Sequence, residues 1–289
     1  MEAEAFSPGH VTGFFETHHE KEILATGSRG AGMCLTLGAR STVSVSRSTR
    51  QSVRVVLDGK ESKAPVTRSA IAHVLRDERL GVSVSTRSDL PESQGFGMSA
   101  AGSLSASLAL TEILGRDMHE AFEAAHRAEV ENRTGLGDVA AILRSGITIR
   151  TRPGLPPAGE VRRIDGRPDV VLAVIGKPIR TKTILANEAK RRAINKSGCG
   201  KMESLLRDPT LSRLMELSAQ FAMETGLAQK SVLEAVNAAS KLGMASMSML
   251  GNSVFAVGDI EGLVRVLSDF GEVWVCKVDT QGARILAHS

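Results

Sequence analysis

Alternating hydrophobic and polar residues predict β-strands in the first third of the chain. Val and Thr are enriched in these segments, and Gly or Asp stands at the breaks between them. Such residues fit a pleated surface, and several short strands in succession favour an antiparallel sheet. The predicted strands are 32–38, 42–48, 52–57 and 81–87.

Helical periodicity interrupts these strands. Apolar residues recur at helical spacing in 65–75, in 99–114 and in 117–131, and each of these segments therefore predicts a helix. A further strand is predicted at 146–152, and the proline-rich segment 153–157 follows it. Because Pro and Gly interrupt regular structure, this segment predicts a boundary between an N-terminal domain, 1–152, and a C-terminal domain, 158–289.

The C-terminal part also mixes strands with helices. The predicted strands are 170–175, 253–257 and 273–278, and the predicted helices are 211–225, 230–242 and 261–270. This order is consistent with a split β-α-β arrangement. The whole chain is therefore predicted to belong to the α+β class.

Composition narrows the class of protein. The 289 residues are 42% hydrophobic and 24% charged, as is usual for a globular protein, and no apolar run approaches the length of a membrane span. Glu2 and Glu4 are acidic, whereas a secretory signal begins with a basic region. Cys34, Cys199 and Cys276 lack the paired spacing of a zinc site or a disulfide framework, which agrees with a reducing compartment. These features predict a cytoplasmic location.

The net charge and the distribution of basic residues indicate which type of partner the protein binds. A net charge of +4 suits an anionic partner, but Lys and Arg are spread along the chain and aromatic residues make up only 3% of it. Nucleic-acid binding requires clustered basic residues and stacking aromatics, so phosphorylated small molecules fit this composition better. We expect neither a nucleic acid nor a membrane as a partner, and a non-catalytic RNA-binding module is a remote alternative.

A glycine-rich turn before the second predicted helix is the most informative motif. Gly95 and Gly97 can adopt backbone angles that other residues avoid, so successive amide groups can point into one concavity. The helix N-terminus adds a partial positive charge, which makes the turn a candidate phosphate cradle. A dinucleotide-binding fold needs a second parallel strand after the helix, and a P-loop needs Gly-Lys-Ser or Gly-Lys-Thr, and neither is found here. A tight helix entry without a ligand is the remaining alternative.

Three motifs of the chain resemble those of the GHMP kinase superfamily. The second superfamily motif, Pro-x-x-x-Gly-Leu-Gly-Ser-Ser-Ala, is kept at Pro91, Gly95, Gly97, Ser99 and Ala100, whereas Phe96 and Met98 differ. The first motif is found at 7–16 as Ser-Pro-Gly-His-Val-Thr-Gly-Phe-Phe-Glu, with His10 where Arg or Lys is usual. The third motif, at 249–256, is the poorest match. The resemblance spans most of the chain and is most specific in its first two thirds.

This resemblance implies a two-domain fold and a kinase chemistry. The N-terminal part would be ribosomal S5 domain 2-like, and the C-terminal part a ferredoxin-like α/β sandwich. ATP and Mg²⁺ are implied as cofactors, with the nucleotide held by Gly95, Phe96, Gly97, Met98, Ser99 and Ala100. Ser99 and Glu129 are implied as Mg²⁺ ligands and Asp138 as the base, which makes these three the candidate catalytic residues. Without the motifs, Glu129 would be explained as a solvated side chain and Asp138 as a helix cap.

Candidate contacts to the acceptor come from several segments. A substrate carboxylate favours a planar bidentate donor, which Arg150 supplies from the strand 146–152. His126 lies three residues before Glu129 and therefore on the same helical face. Phe14 or Phe15 could supply an apolar wall. The candidate substrate-binding residues are His126, Arg150, Thr181, Thr12 and Ser28.

The first motif, the glycine turn and the later Thr-Gly-Leu-Gly-Asp-Val segment together are similar to an archaeal branch of the superfamily that acts on pantoate. This similarity implies transfer of phosphate from ATP to the primary hydroxyl of pantoate, which gives 4-phosphopantoate in coenzyme A biosynthesis. A related kinase that acts on homoserine or a mevalonate-like acceptor is the open alternative. We also expect a homodimer.

Overall fold

A long N-terminal hairpin forms the centre of the larger of two β-sheets. In the computed structural model, which describes residues 1–179 and 187–288, β1 is Glu2–His18 and β2 is Gly27–Arg47. The two strands pair antiparallel from end to end, with irregularities after Pro8 and after Thr12. Such bulges bend a strand and increase its twist, so the hairpin can follow the curvature of the sheet.

The second strand of this hairpin changes its outer partner along its length. Its beginning pairs with β6, Ile147–Arg152, and its end pairs with β5, Leu80–Ser88. The two predicted strands 32–38 and 42–48 are parts of this single strand, so the predicted break between them is wrong. Residues 39–41, which lie between the two predicted strands, pair with β1 on one side and with β5 on the other, so the strand continues through them.

The remaining strands of the large sheet extend it on both sides. They are β3, Ser52–Leu57, β4, Lys60–Glu61, β7, Glu160–Ile164, and β12, Arg284–His288. The strand order is β12-β1-β2-β5-β3-β4, with β6 pairing β2 and β7 pairing β6. The hairpin therefore lies inside the sheet, where its side chains are buried.

Helices of the N-terminal part pack against this sheet or against one another. They are α1, Pro65–Leu75, α2, Met98–Ile113, α3, Met118–Asn132, and α4, Asp138–Arg144. The first three begin within one residue of the positions that the sequence predicts. Almost every residue of α2 is buried, because it packs against β1, β2, α1 and α3. Its small Ala and Ser residues permit this close approach.

The smaller sheet has the topology of a ferredoxin-like sandwich. Its strands are β8, Asp169–Val174, β9, Gly243–Met247, β10, Ser253–Gly258, and β11, Glu272–Lys277. They pair antiparallel in the order β11-β8-β10-β9. The accompanying helices are α5, Glu188–Arg207, α6, Leu211–Thr225, α7, Lys230–Ala239, and α8, Ile260–Ser268. The predicted α+β class and the ferredoxin-like C-terminal part are confirmed.

The two sheets do not divide at the proline-rich segment. β7 and β12 both follow 153–157 in the chain, yet they belong to the large sheet. The reason is that β6 and β7 form an antiparallel hairpin around this segment. A shared core also joins the two parts, since Phe14 of β1 packs against Phe221 of α6 with ring centroids 6.4 Å apart. The division into domains at 152 and 158 stays a prediction.

The sequence pattern does not indicate every element. It misses β1, β4, β7, β9, β12 and α5, and it gives α4 only as the helix that Asp138 would cap. The helix α5 is polar along most of its length, with buried positions only at Ile194, Gly198, Met202 and Leu205. Within the described ranges, no helix is both long enough and apolar enough to cross a bilayer.

Candidate active site

The glycine-rich turn is held from two sides by hydrogen bonds to its carbonyl groups. The backbone amide of His10 donates to the Phe96 oxygen at 2.9 Å, and the Ser248 hydroxyl donates to the Gly95 oxygen at 2.6 Å. Hydrogen bonding within α2 begins at the amide of Ala101, which donates to the Gly97 oxygen. The amides of the first helical turn have no partner within the helix, so they can bind an anion.

Both glycines of the turn are required by their backbone angles. Gly95 has φ +80° and Gly97, the residue that caps α2, has φ +64°. A Cβ atom on Gly95 would also lie 2.7 Å from the Ser248 oxygen. The segment from Ser248 to Gly251, which includes the start of the poorly matching third motif, therefore forms one wall of the turn.

Ser99 and Glu129 meet at the beginning of α2. The Ser99 hydroxyl donates to Oε1 of Glu129 at 2.5 Å, and the Glu129 side chain is only 3% exposed. Burial raises the pKa of Glu129 to about 7, despite the opposing effect of the Ser99 hydrogen bond. A Cβ on Gly135 would lie 2.2 Å from Oε2 of Glu129, so glycine keeps this oxygen accessible from the cleft. Glu129 is thus not a solvated surface residue.

Asp138 is the first residue of α4, and its carboxylate points back to β1. Nδ1 of His10 lies 2.8 Å from Oδ1 of Asp138. Burial raises the pKa of Asp138, but the hydrogen bond from His10 and the charge of Arg150 outweigh burial and hold this pKa below its usual value. Gly137, rather than Asp138, occupies the N-cap position. Asp138 is therefore an ionised group held by distant parts of the chain.

Arg150 is a buried cation in the wall of the site. It lies on β6 and is 2% exposed, and its Nε and Nη1 atoms have no hydrogen-bond partner among the residues that the structure describes. A Cβ on Gly137 would lie 2.6 Å from Nε of Arg150 and 2.2 Å from the Ser28 hydroxyl oxygen. Because Gly137 has no side chain, the Arg150 guanidinium and the Ser28 hydroxyl both remain accessible to a ligand.

A cleft of about 330 Å³ brings most of these groups together. Its lining comprises Thr12, Phe15, Ser28, Ser93, Gly95, Phe96, Gly97, Met98, Ser99, Glu129, Thr134, Gly135, Leu136, Gly137, Asp138, Arg150, Met249 and Leu250. A second cleft of about 340 Å³ adjoins it and runs past α1. The two clefts share Ser93, Met98, Ser99 and Thr134. The start of α2 therefore stands between two cavities, each large enough for a small organic molecule.

Comparison with known proteins identifies the family. Residues 66–146 match the family described as GHMP kinases N terminal domain. The pantoate kinase of Methanocaldococcus jannaschii is 32% identical over 277 residues, which cover 94% of this chain and 99% of that protein. The pantoate kinase of Thermococcus kodakarensis is 34% identical over 275 residues, which cover 92% of this chain and 91% of that protein. The chain belongs to the pantoate kinase family of the GHMP kinases.

Solved structures agree with this membership. A phosphotransferase related to the coenzyme A biosynthesis pathway superposes with a TM-score of 0.89 at 30% identity, covering 99% of this chain and 98% of that chain. A homoserine kinase from Cytophaga hutchinsonii superposes with a TM-score of 0.72 at 16% identity, covering 99% and 97%. At that lower identity the likeness concerns the fold alone. It is the GHMP kinase fold that the sequence motifs imply.

In this member of the family, some predicted site residues lie outside the cleft. His126 is buried, and its Nε2 lies 3.0 Å from the Thr26 oxygen. It is not among the cleft-lining residues, so we do not carry it into the proposed site. Ala100 faces the core between α2 and the sheet, and Phe14 packs in the core whereas Phe15 lines the cleft. Thr181 lies outside the described residues.

Other cleft residues carry no role in the sequence-based prediction. Thr134 and Leu136 belong to the Thr-Gly-Leu-Gly turn and line the cleft. In this segment the sequence-based prediction assigns a role only to Asp138, which follows the turn. Met249 and Leu250 come from the third motif, whose poor match conceals its position beside the glycine turn. In the sequence, His10 is notable only because it replaces the usual Arg or Lys of the first motif. This replacement is the one sequence signal that could have indicated a role for His10 at the site.

Proposed function

We propose that this chain transfers the γ-phosphate of ATP to the primary hydroxyl of pantoate and so forms 4-phosphopantoate in coenzyme A biosynthesis. The observation that carries the proposal is the buried Arg150 guanidinium, whose Nε and Nη1 atoms have no hydrogen-bond partner among the described residues and which lines the same cleft as Asp138. A buried cation is costly unless an anion joins it, and a planar carboxylate is the anion that Arg binds best. Pantoate carries such a carboxylate, and the similarity to pantoate kinases supports this acceptor.

The nucleotide is assigned to the second cleft and the glycine turn. The turn contributes the free amides at the start of α2, which suit the oxygen atoms of a polyphosphate. The cleft beside it is lined by apolar groups such as Val55 and Val66 and by hydroxyl groups such as Thr86 and Ser88. ATP bound in this way would direct its terminal phosphate toward Ser99, which the two clefts share.

Ser99 and Glu129 fit the Mg²⁺ ion that GHMP kinases require. Hydroxyl and carboxylate oxygens are the ligands that this hard cation prefers. Among the described residues, no group of three or more His, Cys, Asp and Glu side chains gathers as a metal site. A protein contribution of one or two oxygens is nevertheless usual for Mg²⁺, because nucleotide phosphates and water complete its shell. When bound, the ion would neutralise charge on the phosphate groups.

Asp138 is assigned to the acceptor hydroxyl. Its low pKa keeps the carboxylate ionised, so it can accept a hydrogen bond from the hydroxyl and receive the proton as the new O–P bond forms. Arg150 would bind the carboxylate of the substrate. Ser28 and Thr12 would donate hydrogen bonds to the other oxygen atoms of the substrate. Phe15 provides an apolar surface for the dimethyl carbon. With its carboxylate bound by Arg150 and its dimethyl carbon packed on Phe15, the substrate would be held with its hydroxyl directed at the nucleotide.

An acceptor screen tests this proposal. Purified protein with ATP and Mg²⁺ is incubated with pantoate, homoserine or mevalonate, and ADP release is followed together with phosphorus NMR of the product. We expect turnover with pantoate and a phosphate monoester on its primary hydroxyl. Asp138→Asn should abolish that turnover while the thermal transition stays cooperative. Turnover only with homoserine or mevalonate would overturn the choice of acceptor. Salt-dependent RNA binding without turnover would overturn the kinase itself.

A further inference from the structure

His10 is a fully buried histidine that joins the first motif to α4. It lies on β1, it is 0% exposed, and its Nδ1 atom is 2.8 Å from Oδ1 of Asp138. The two residues are 128 positions apart in the chain. The glycine turn packs against the same residue, because the His10 amide donates to the Phe96 oxygen. His10 thus contacts both the candidate base and the candidate phosphate cradle.

The surroundings of the imidazole determine which nitrogen carries its proton. An ionised carboxylate can only accept, so Nδ1 is the donor to Asp138. Nε2 is buried and has no hydrogen-bond partner in the described part of the chain. A proton on Nε2 would therefore be a buried donor without an acceptor. Burial also lowers the pKa of His10, which agrees with a neutral ring protonated at Nδ1.

The hydrogen bond between His10 and Asp138 uses only one of the two carboxylate oxygens. Oδ1 of Asp138 is occupied by His10, and a Cβ on the cleft-lining Gly135 would lie 3.5 Å from Oδ2. Oδ2 therefore faces the cleft. We infer that His10 is a positioning residue that holds Asp138 with Oδ2 directed at the acceptor hydroxyl. This inference rests on the proposed function for the role of Asp138.

The charges around Asp138 explain why a neutral donor suits this position. Arg150 already places one buried positive charge near Asp138, and it lowers the pKa of His10. A Lys or Arg at position 10 would add a second buried cation beside a single ionised carboxylate, at a cost in desolvation. Histidine supplies the hydrogen bond without the charge. Arg150 consequently remains available for the carboxylate of the substrate.

Two amide variants separate positioning from packing. In His10→Asn the amide nitrogen can take the place of Nδ1, whereas in His10→Gln it reaches the place of Nε2 and cannot donate in the same way. We expect His10→Gln to lower kcat by about 100-fold, as a small misplacement of a reacting group does. The KM values for both substrates should change by less than about threefold. His10→Asn should recover kcat to within about tenfold of the native protein.

The rates are measured with the acceptor that the native protein phosphorylates, so an error in the choice of pantoate does not affect the result. The inference is overturned if His10→Gln keeps native kcat, if both folded variants are equally impaired, or if the loss is confined to KM. Nitrogen-15 NMR of the native protein provides a test that needs no variant. It should detect His10 as the neutral Nδ1–H tautomer near neutral pH, and an Nε2–H or doubly protonated ring would overturn the inference.

Discussion

The Ser99 hydroxyl donates a 2.5 Å hydrogen bond to Oε1 of Glu129 and thereby joins the start of α2 to the end of α3. Neither helix alone would place these two oxygens together, because Ser99 lies in the first turn of α2 and Glu129 in the last turn of α3. Both residues line the cleft at the point where nucleotide and acceptor are proposed to meet. It also makes Glu129 a residue whose charge can be tested.

Glu129→Gln should remove most of the kinase activity. The amide keeps the size of the side chain and a partner for Ser99, but a neutral amide is a poor ligand for Mg²⁺. We expect kcat to fall by about 100-fold or more. Glu131→Gln is the matched control, because Glu131 binds His73 and Ser69 at the surface and should leave activity within about threefold of native. Equal losses in the two variants, measured by steady-state ADP release, would contradict the assignment.

The stability of the metal-free protein should depend on the ionisation of Glu129. Its pKa is about 7 in the folded protein against an ordinary 4.5, so the folded state binds more protons than the unfolded state between these values. The free energy of unfolding should therefore decrease as the pH rises from about 4.5 to 7, by up to about 3 kcal/mol from this group. Glu129→Gln should lose this contribution.

Urea unfolding at pH values below and above this window, with chelator present, measures the effect. The difference between native protein and Glu129→Gln isolates the group, since all other groups titrate in both. Mg²⁺ added above the window should stabilise the native protein more than the variant. Identical pH dependence in the two proteins would refute the role of burial at Glu129.

Arg150→Met should weaken selection for the carboxylate of the acceptor. Loss of the guanidinium leaves a buried substrate carboxylate without its charged partner, and we expect kcat/KM for pantoate to fall by about 100-fold or more. Pantoamide, in which the carboxylate is replaced by a neutral amide, is the matched substrate. On pantoamide the native protein and the variant should differ by less than about tenfold. An equal loss on both substrates would show that Arg150 acts on something other than the carboxylate.

Gly95→Ala should impair nucleotide binding more than Gly59→Ala does. Gly59 has nearly the same backbone angle, φ +78° against +80°, but its missing Cβ would meet no atom within 4 Å. Both alanines cost about 1 kcal/mol in backbone strain. At Gly95 the methyl group also collides with the Ser248 carbonyl, so the turn must shift. We expect KM for ATP to rise about tenfold in Gly95→Ala alone, and an equal rise in Gly59→Ala would exclude the steric explanation.

The sequence predicts the local elements well where periodicity is strong. The helix Pro65–Leu75 is found at its predicted bounds, because its apolar residues repeat on one face and a proline opens it. The candidate residues Thr12, Ser28, Ser99, Glu129, Asp138 and Arg150 all line one cleft, although their chemical roles stay predictions. The cytoplasmic location and the homodimer likewise stay predictions.

Helical spacing alone could not predict the environment of His126. It lies one turn before Glu129, yet it reaches the Thr26 carbonyl in the connection between β1 and β2. Residues three apart differ by about 60° around a helix, so they share a face only approximately. The orientation of α3 against the sheet decides which of them enters the cleft. A one-dimensional pattern contains no information about that orientation.

The sequence by itself determined the class of fold, the position of the glycine-rich turn before α2 and the choice of Glu129 and Asp138 as candidate carboxylates, because these depend on local backbone preferences and on recognisable motifs. Only the tertiary structure decided that His10 bonds Asp138, that Arg150 is buried without a hydrogen-bonded partner among the described residues, and that Ser248 supports the glycine turn. Each of these contacts joins residues more than a hundred positions apart or depends on the packing of distant elements. Burial and charge at the site arise from that packing, which no local segment specifies.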